Sequence, residues 1–121
     1  MFSKTNNEVR RLKSKADIAA LFAEGNHLTK MPIKLVCSSG AETLALGFGV
    51  SKKNFNSAVD RNRIKRLMRE QFKQQRAKAD YAVFYGSGFF IYTGKEKPTL
   101  AQLEKPMADL ICRWYALAEG S

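Results

Sequence analysis

The sequence predicts an α+β domain, a small mixed sheet packed with helices in the order α-β-β-β-α-β-α. Three observations carry this. The run from Thr43 to Ser51 alternates large and small residues with the period of a strand. The stretch from Ala58 to about Lys78 contains no Gly or Pro and repeats its apolar residues at helical spacing. The chain has 121 residues, enough for one hydrophobic core and too few for two. No repeat, low-complexity tract or linker divides it, so residues 10–118 read as one domain behind a polar, mobile tail at 1–9.

Taken in order, the first helix opens at Ser14, a capping side chain with Asp17 three positions on, near the positive helix end. Ile18, Leu21 and Phe22 recur at helical spacing, and Leu12 can pack back on the first turn. Gly25 closes the helix, as glycine does where the chain turns to positive φ. Two or three strands follow. Pro32 to Cys37 is one, with proline at the start, where a missing N–H does least harm. Ser38 to Glu42 is a turn-rich connection. In the strand from Thr43 to Ser51, Leu44, Leu46, Phe48 and Val50 share one face, and Ala45, Gly47, Gly49 and Ser51 the other. So bare a face is met by a closely packed helix or backbone, or is a shallow groove kept open for a ligand. Gly47-Phe48-Gly49 lacks the third glycine and the following helix of a dinucleotide-binding loop.

Beyond the long helix, Gly88 to Thr93 reads as a buried strand bounded by Gly94, while Ala79 to Ser87 fits helix, strand or loop. The last helix runs from about Thr99 to Ala118. Thr99 and Gln102 form a capping box, and Leu103, Met107, Leu110, Ile111 and Trp114 make the inner stripe. Pro106 requires that this helix start near it or kink one turn in.

The charge narrows the function. Lys and Arg number 21 against 11 Asp and Glu, a net charge of +10 with a pI near 9.9. Such an excess on a small surface implies a polyanionic partner, nucleic acid foremost. The sequence has no apolar run long enough to span a membrane, and Met1 to Glu8 lacks the apolar stretch of a secretory signal. Cys37 and Cys112 make no disulfide framework and, with a single histidine, no zinc pattern; both read as buried thiols, and a cytoplasmic location is expected.

Ten of the Lys and Arg fall between Ser51 and Ala79, against Asp60 and Glu70 alone. At about 100° per residue, Asn62, Lys65, Arg66, Arg69, Lys73 and Arg76 gather in one arc of the helix, flanked by Arg61 and Arg63. Ile64, Leu67, Met68 and Phe72 lie opposite, facing the core. Solvated helix faces usually mix signs at spacing four; here Arg61, Lys65, Arg69 and Lys73 are all positive. A pattern that costs the isolated helix stability argues for counterions supplied by a ligand, and arginine suits bidentate contact with phosphate.

The motif Val59-Asp60-Arg61-Asn62-Arg63-Ile64-Lys65-Arg66-Leu67-Met68-Arg69-Glu70, preceded by Gly47-Phe48-Gly49-Val50-Ser51-Lys52-Lys53, resembles the protein subunit of bacterial ribonuclease P. Weaker agreement extends from Arg11-Leu12-Lys13 through Asp17, Phe22 and Gly25 to Phe89-Phe90-Ile91-Tyr92 and Leu100 to Ile111, about residues 10 to 115. The resemblance implies that the catalyst is an RNA subunit using Mg2+, with no metal expected to be held tightly by the protein. It implies a protein that binds the catalytic RNA and the 5′ leader of precursor tRNA, with no obligate protein partner. It also implies a left-handed crossover at the basic helix, against the usual handedness.

Carried over residue by residue, Arg61, Asn62, Arg63, Lys65, Arg66 and Arg69 are the RNA-binding motif, and Lys52 and Lys53 extend its surface. The leader cleft takes Phe22, Ile33, Val36 and Phe48. The chain departs from the family at Ile18, at Ile33 and Val36, where aromatics are common, and at Tyr81 to Ser87, which is inserted. No catalytic residue is assigned: His27 stands alone after Gly25-Asn26, and the acids lack the paired spacing of a two-metal site. A structural RNA-binding protein would share the size and charge without needing this motif. A helix-turn-helix reader is contradicted by the alternating Leu44 to Val50 run.

Overall fold

The computed structural model describes residues 9–12, 14–39, 44–78 and 86–120. One sheet holds five strands: β1 (Val9–Arg11), β2 (Asn26–Lys30), β3 (Ile33–Ser39), β4 (Leu44–Val50) and β5 (Gly86–Tyr92). Three α-helices accompany it: α1 (Lys15–Glu24), α2 (Ala58–Lys78) and α3 (Glu104–Gly120). The order across the sheet is β1-β4-β5-β3-β2. β4 runs parallel to β1 and to β5, whereas β3 is antiparallel to β5 and to β2. The predicted α+β class and α-β-β-β-α-β-α order are present, with the short strand β1 added in front. The expected tail at 1–9 falls mostly on residues outside those described, and Val9 already belongs to β1. Most of the uncertain stretch 79–87 also lies outside them, and Gly86 and Ser87 are strand.

Strand alternation divides the sheet into two working faces. Ile33, Leu35 and Cys37 of β3, Leu44 and Leu46 of β4, and Phe90 and Tyr92 of β5 pack with α2 and α3 in one core cluster. Leu103, Met107, Leu110, Ile111 and Trp114 supply the α3 side and are fully buried, as their helical spacing predicts. Phe90 is in edge contact with Phe72 of α2 and Trp114 of α3. The next residue, Phe89, points the other way and meets Phe22 of α1 edge-on at 5.6 Å. The first helix therefore lies on the opposite face from the two long ones.

Local signals explain the helix ends. Ser14 caps α1, its hydroxyl accepting from the Asp17 N–H at 3.3 Å. Thr99 and Gln102 form the reciprocal capping box, at 3.0 and 3.2 Å. The capped turn is a short 3-10 segment, Ala101–Leu103, that leads into α3 and leaves Pro106 in its first turn, where a missing N–H is harmless.

Three expectations need correction. Gly25 is extended, with φ −80°, and needs no positive φ. Space demands the glycine instead: a Cβ there would sit 2.6 Å from the Leu21 carbonyl oxygen and 2.9 Å from that of Cys37. Of the two readings of the bare face of β4, the packed one is met by a side chain and not by a helix or backbone, while the open one agrees with Gly47, which lines a groove. The Phe89 ring lies across the bare face, 3.1 Å from where a Gly47 Cβ would stand and 3.3 Å from that of Gly49. Finally, Cys37 is buried and Cys112 is exposed. Cys112 follows Ile111 on α3, one step round the helix from the apolar stripe.

Burial pushes the Cys37 thiol up to about 11. The folded state then favours the neutral thiol, so its contribution to stability is intact below the unfolded thiol's range and fades as pH rises towards 11. A thiolate-directed reagent at pH 8 is expected to label one cysteine, Cys112, in the folded protein and both after denaturation. Mass spectrometry of the labelled chain checks this. Gly88 lies directly under Trp114, and a Cβ at this position would stand 2.5 Å from the nearest carbon of the indole ring. Gly88→Ala should therefore lower stability by about 1–3 kcal/mol through overpacking, measured by thermal or urea unfolding.

Candidate nucleic-acid interface

The basic helix is fixed by its apolar side. Ile64, Met68 and Phe72 are buried, and Leu67 packs at the edge of the core. Two buried glutamines extend that side: Gln71 donates to the Leu100 carbonyl at 2.8 Å, and Gln75 donates to the Gln71 side-chain oxygen at 2.7 Å. They tie α2 to the segment entering α3. Sequence pattern alone does not single them out, because glutamine is ordinary on a solvated helix face and only tertiary packing buries it here.

With the apolar side pinned, the opposite face is turned outward as a unit. Asn62, Arg63, Arg66, Arg69 and Lys73 are exposed, and Lys65 is half-buried. Among the described residues, none of the five cations in this set makes an ion pair. The two acids of the helix are engaged elsewhere. Asp60 faces Lys97 at 3.4 Å, and Glu70 accepts from Gln74 at 3.5 Å.

Part of this face lines a groove of about 870 Å³. Asn62, Lys65, Arg69, Lys73 and Arg76 form its basic wall; Leu46, Gly47 and Phe48 of β4 form its floor; Leu12, Ile18 and Phe89 close the far side. The groove exists because β1 pairs only with Leu44 to Leu46, and the Leu12 N–H takes the last contact, to the Leu46 carbonyl at 2.7 Å. Beyond that point this edge of β4 carries no partner strand among the described residues. The Arg69 guanidinium lies over the Phe48 ring, 5.3 Å from its centroid, and Arg76 lies 6.0 Å from that of Phe72. Both cations thus rest on aromatic faces that orient them without neutralising them. Burial pulls the Arg76 guanidinium below its ordinary value, and an arginine keeps its charge in proteins.

The residues assigned to RNA binding from the sequence separate into groups. Asn62, Lys65 and Arg69 line the groove, while Arg63 and Arg66 lie outside it. Lys52 and Lys53 stand exposed in the turn after β4. Arg61 turns inward, one guanidinium nitrogen donating to the carbonyls of Phe55 and Asn56 at 2.8 and 2.7 Å. The same turn is held by the Asn54 amide, which donates to the carbonyls of Thr93 and Gly94, and by Phe55, buried against Tyr92. Arg61 therefore braces the loop that presents the two lysines.

The four residues assigned to a leader cleft do not share one surface. Phe22 is half-buried on the α1 face. Val36 is on that face too, but sealed at 1% exposure. Ile33 and Phe48 belong to the other face: Ile33 is fully buried in the core, and Phe48 stacks on Phe90 at 5.7 Å and lines the groove. The reason is alternation, which puts odd and even positions of a strand on opposite sides. The residue missed is Phe89, half-buried beside Phe22. Its signal is present in the pair Phe89-Phe90, since adjacent strand residues cannot both enter one core.

A sheet with helices on both faces, one helix carrying a file of cations that make no ion pair among the described residues and lie along an open strand edge, defines an α+β domain with a surface suited to a polyanion. The sequence profile of the family described as Ribonuclease P matches residues 7–114, and the chain belongs to that family. It is 39% identical over 66 residues to the ribonuclease P protein component of Nitrosococcus oceani, a match covering 54% of this chain and 56% of that protein. It is 29% identical over 111 residues to the corresponding Porphyromonas gingivalis protein, covering 85% and 81%. The Staphylococcus aureus RNase P protein structure superposes with a TM-score of 0.72 at 24% identity, covering 88% of this chain and 95% of that one, a likeness of fold.

The two arginines of the motif should respond differently to truncation. Arg61→Ala removes charge-assisted bonds to two carbonyls and is expected to cost about 1.5–3 kcal/mol of stability. Arg66→Ala, exposed and unpaired, is expected to stay within about 0.5 kcal/mol of the parent. Urea denaturation of the two variants beside the parent chain checks both; equal losses would place Arg61 among the solvated cations.

Proposed function

We propose that the chain is the protein subunit of ribonuclease P. In this reading it binds the catalytic RNA through α2, binds the 5′ leader of precursor tRNA on the α1 face, and so promotes endonucleolytic removal of the leader. The observation that carries the proposal is the file Lys65, Arg69 and Lys73, three like charges at successive helical turns with no acid in contact among the described residues. That file costs the free protein stability and becomes favourable only when phosphates arrive. The aromatic surface of Phe22 and Phe89 on the other face suits unpaired bases, which stack on rings of any sequence.

On this reading the RNA subunit carries out the phosphodiester hydrolysis with Mg2+, and the protein contributes affinity and position. The fold family supports it, as does the lack of any assigned nucleophile or general base in the sequence motif. No further protein partner is required, and the compartment is the cytoplasm, where tRNA precursors are processed. The direct test is reconstitution with the catalytic RNA of the same organism and a leader-bearing precursor tRNA. The complex should cleave at low Mg2+ concentration, and protein freed of RNA should not.

The basis of affinity is open to a second measurement. If about six cations of α2 and the Lys52-Lys53 turn meet phosphates, log affinity for the catalytic RNA should fall against log salt with a slope of about 4–5 in magnitude. Arg69→Ala should reduce that magnitude by about 1 without changing which RNA is preferred. A salt titration of parent and variant measures it, and identical slopes would remove Arg69 from the phosphate contacts.

A further inference from the structure

The only histidine in the chain lies apart from the basic helix and its groove. His27 is in β2, and the register sets it opposite Val36, which is opposite Phe89, which is opposite Gly47. These four residues form one row across the α1 face. Phe89 and His27 are two strands apart, about 10 Å. Phe22 bridges them from α1, with ring centroids 5.6 Å from Phe89 and 6.4 Å from His27, edge-on to both. Between the two rings the row drops to Val36, an aliphatic side chain already sealed. The line of rings thus starts at half-buried Phe89, passes through half-buried Phe22 and ends at exposed His27.

The imidazole is also held. Its Nε2 lies 3.1 Å from the Phe22 carbonyl oxygen, one of the last carbonyls of α1 and so without a helical partner. A carbonyl only accepts, so Nε2 carries the proton. In the neutral ring Nδ1 is then an acceptor, left over for a ligand. A ring fixed at one edge, open on its surface and offering one unused acceptor is suited to a base.

We propose that His27 is a nucleobase-binding residue of the single-stranded RNA site, stacking an unpaired base on its ring at the outer end of the Phe89–Phe22 surface, with Nδ1 open in the ring plane to an N–H of a neighbouring nucleotide. This rests on the leader reading above and extends it to a residue outside the basic motif and outside the four cleft positions. The competing role is purely local, a cap on the last turn of α1, and the substitutions separate the two. His27→Gln keeps an amide donor for the Phe22 carbonyl and removes the ring. His27→Phe keeps the ring and removes the donor.

The measurement is affinity of the reconstituted complex for leader-bearing against leaderless precursor tRNA. His27→Gln should reduce the leader-dependent gain about fivefold or more, the lower range for loss of one stacked base, while His27→Phe retains most of it. Leaderless affinity should be unchanged in both. In the full-length protein, the ring protons of this single histidine should shift upfield when a short leader oligonucleotide is added, as they would under a base. Retention of the leader gain by His27→Gln, with loss in His27→Phe, would make His27 a helix cap and overturn the proposal, as would ring signals that ignore the oligonucleotide. A parent complex indifferent to the leader would overturn the leader reading itself, a result distinct from a leader-dependent parent with an unaffected His27→Gln.

Discussion

Phe90 touches rings from three directions on the core face. Phe48 of β4 stacks on it, and Phe72 of α2 and Trp114 of α3 meet it edge-on. A fully buried phenyl in that position sets how α2 lies against the sheet, because Phe72 has one place to go. It also sets where Phe48 stands, and Phe48 in turn supports the Arg69 guanidinium. The position of the basic wall is therefore decided in the hydrophobic core. The parallel pairing of β4 with β5 makes this necessary, since no hairpin can join parallel neighbours and the chain must cross over through a long element. That element is α2. Its apolar stripe satisfies the crossover, and its other face is left free of packing constraints and available for charge.

The charges on that face oppose folding. Like charges at spacing four weaken a helix by about 0.2–0.5 kcal/mol a pair, and the two acids of α2 are turned to Lys97 and to a neutral partner. The helix tolerates this because Ile64, Met68 and Phe72 bury against the sheet, each worth on the order of 1.5–3 kcal/mol. Gln71 and Gln75 then fix the helix along its length through a hydrogen-bonded pair inside the core boundary. The Lys78–Glu104 pair adds little, because both side chains are about half exposed. Core burial outweighs the electrostatic cost severalfold, so the fold tolerates cations that make no ion pair among the described residues.

The fold class, the long helix and the inner stripe of α3 were legible because each follows a period that one sequence displays. Asn26 to Lys30 was not legible as β2, since Asn26, His27, Thr29 and Lys30 are exposed and polar and only Leu28 packs inward. That strand is specified by its partner β3. The basic face was legible as a set, but its division was not. Whether an arginine meets solvent or a carbonyl depends on where the loop before the helix ends, and Arg61 is placed by Phe55 and Asn56 from outside the helix. The four cleft positions were grouped without regard to a signal that was present, the alternation of each strand, which sends Ile33 into the core and sets Phe48 on the groove. Phe89 was missed for the same reason.

The shortness of β1 links these features. A strand of three residues covers β4 only as far as Leu46, and its chain then leaves for α1. Two more paired residues would lay backbone along Phe48 and close the groove over Asn62, Lys65 and Arg69. Open strand edges ordinarily invite another strand, and proteins guard them with charge. Here the guard is the file of cations on α2 beside the edge. An incoming polypeptide strand would have to bring its own chain into that positive field, whereas a nucleic-acid backbone brings the matching charge with it. On the proposed reading the same side chains that protect the edge from protein admit RNA, and discrimination between the two polymers follows from leaving β1 short next to a helix face of one sign.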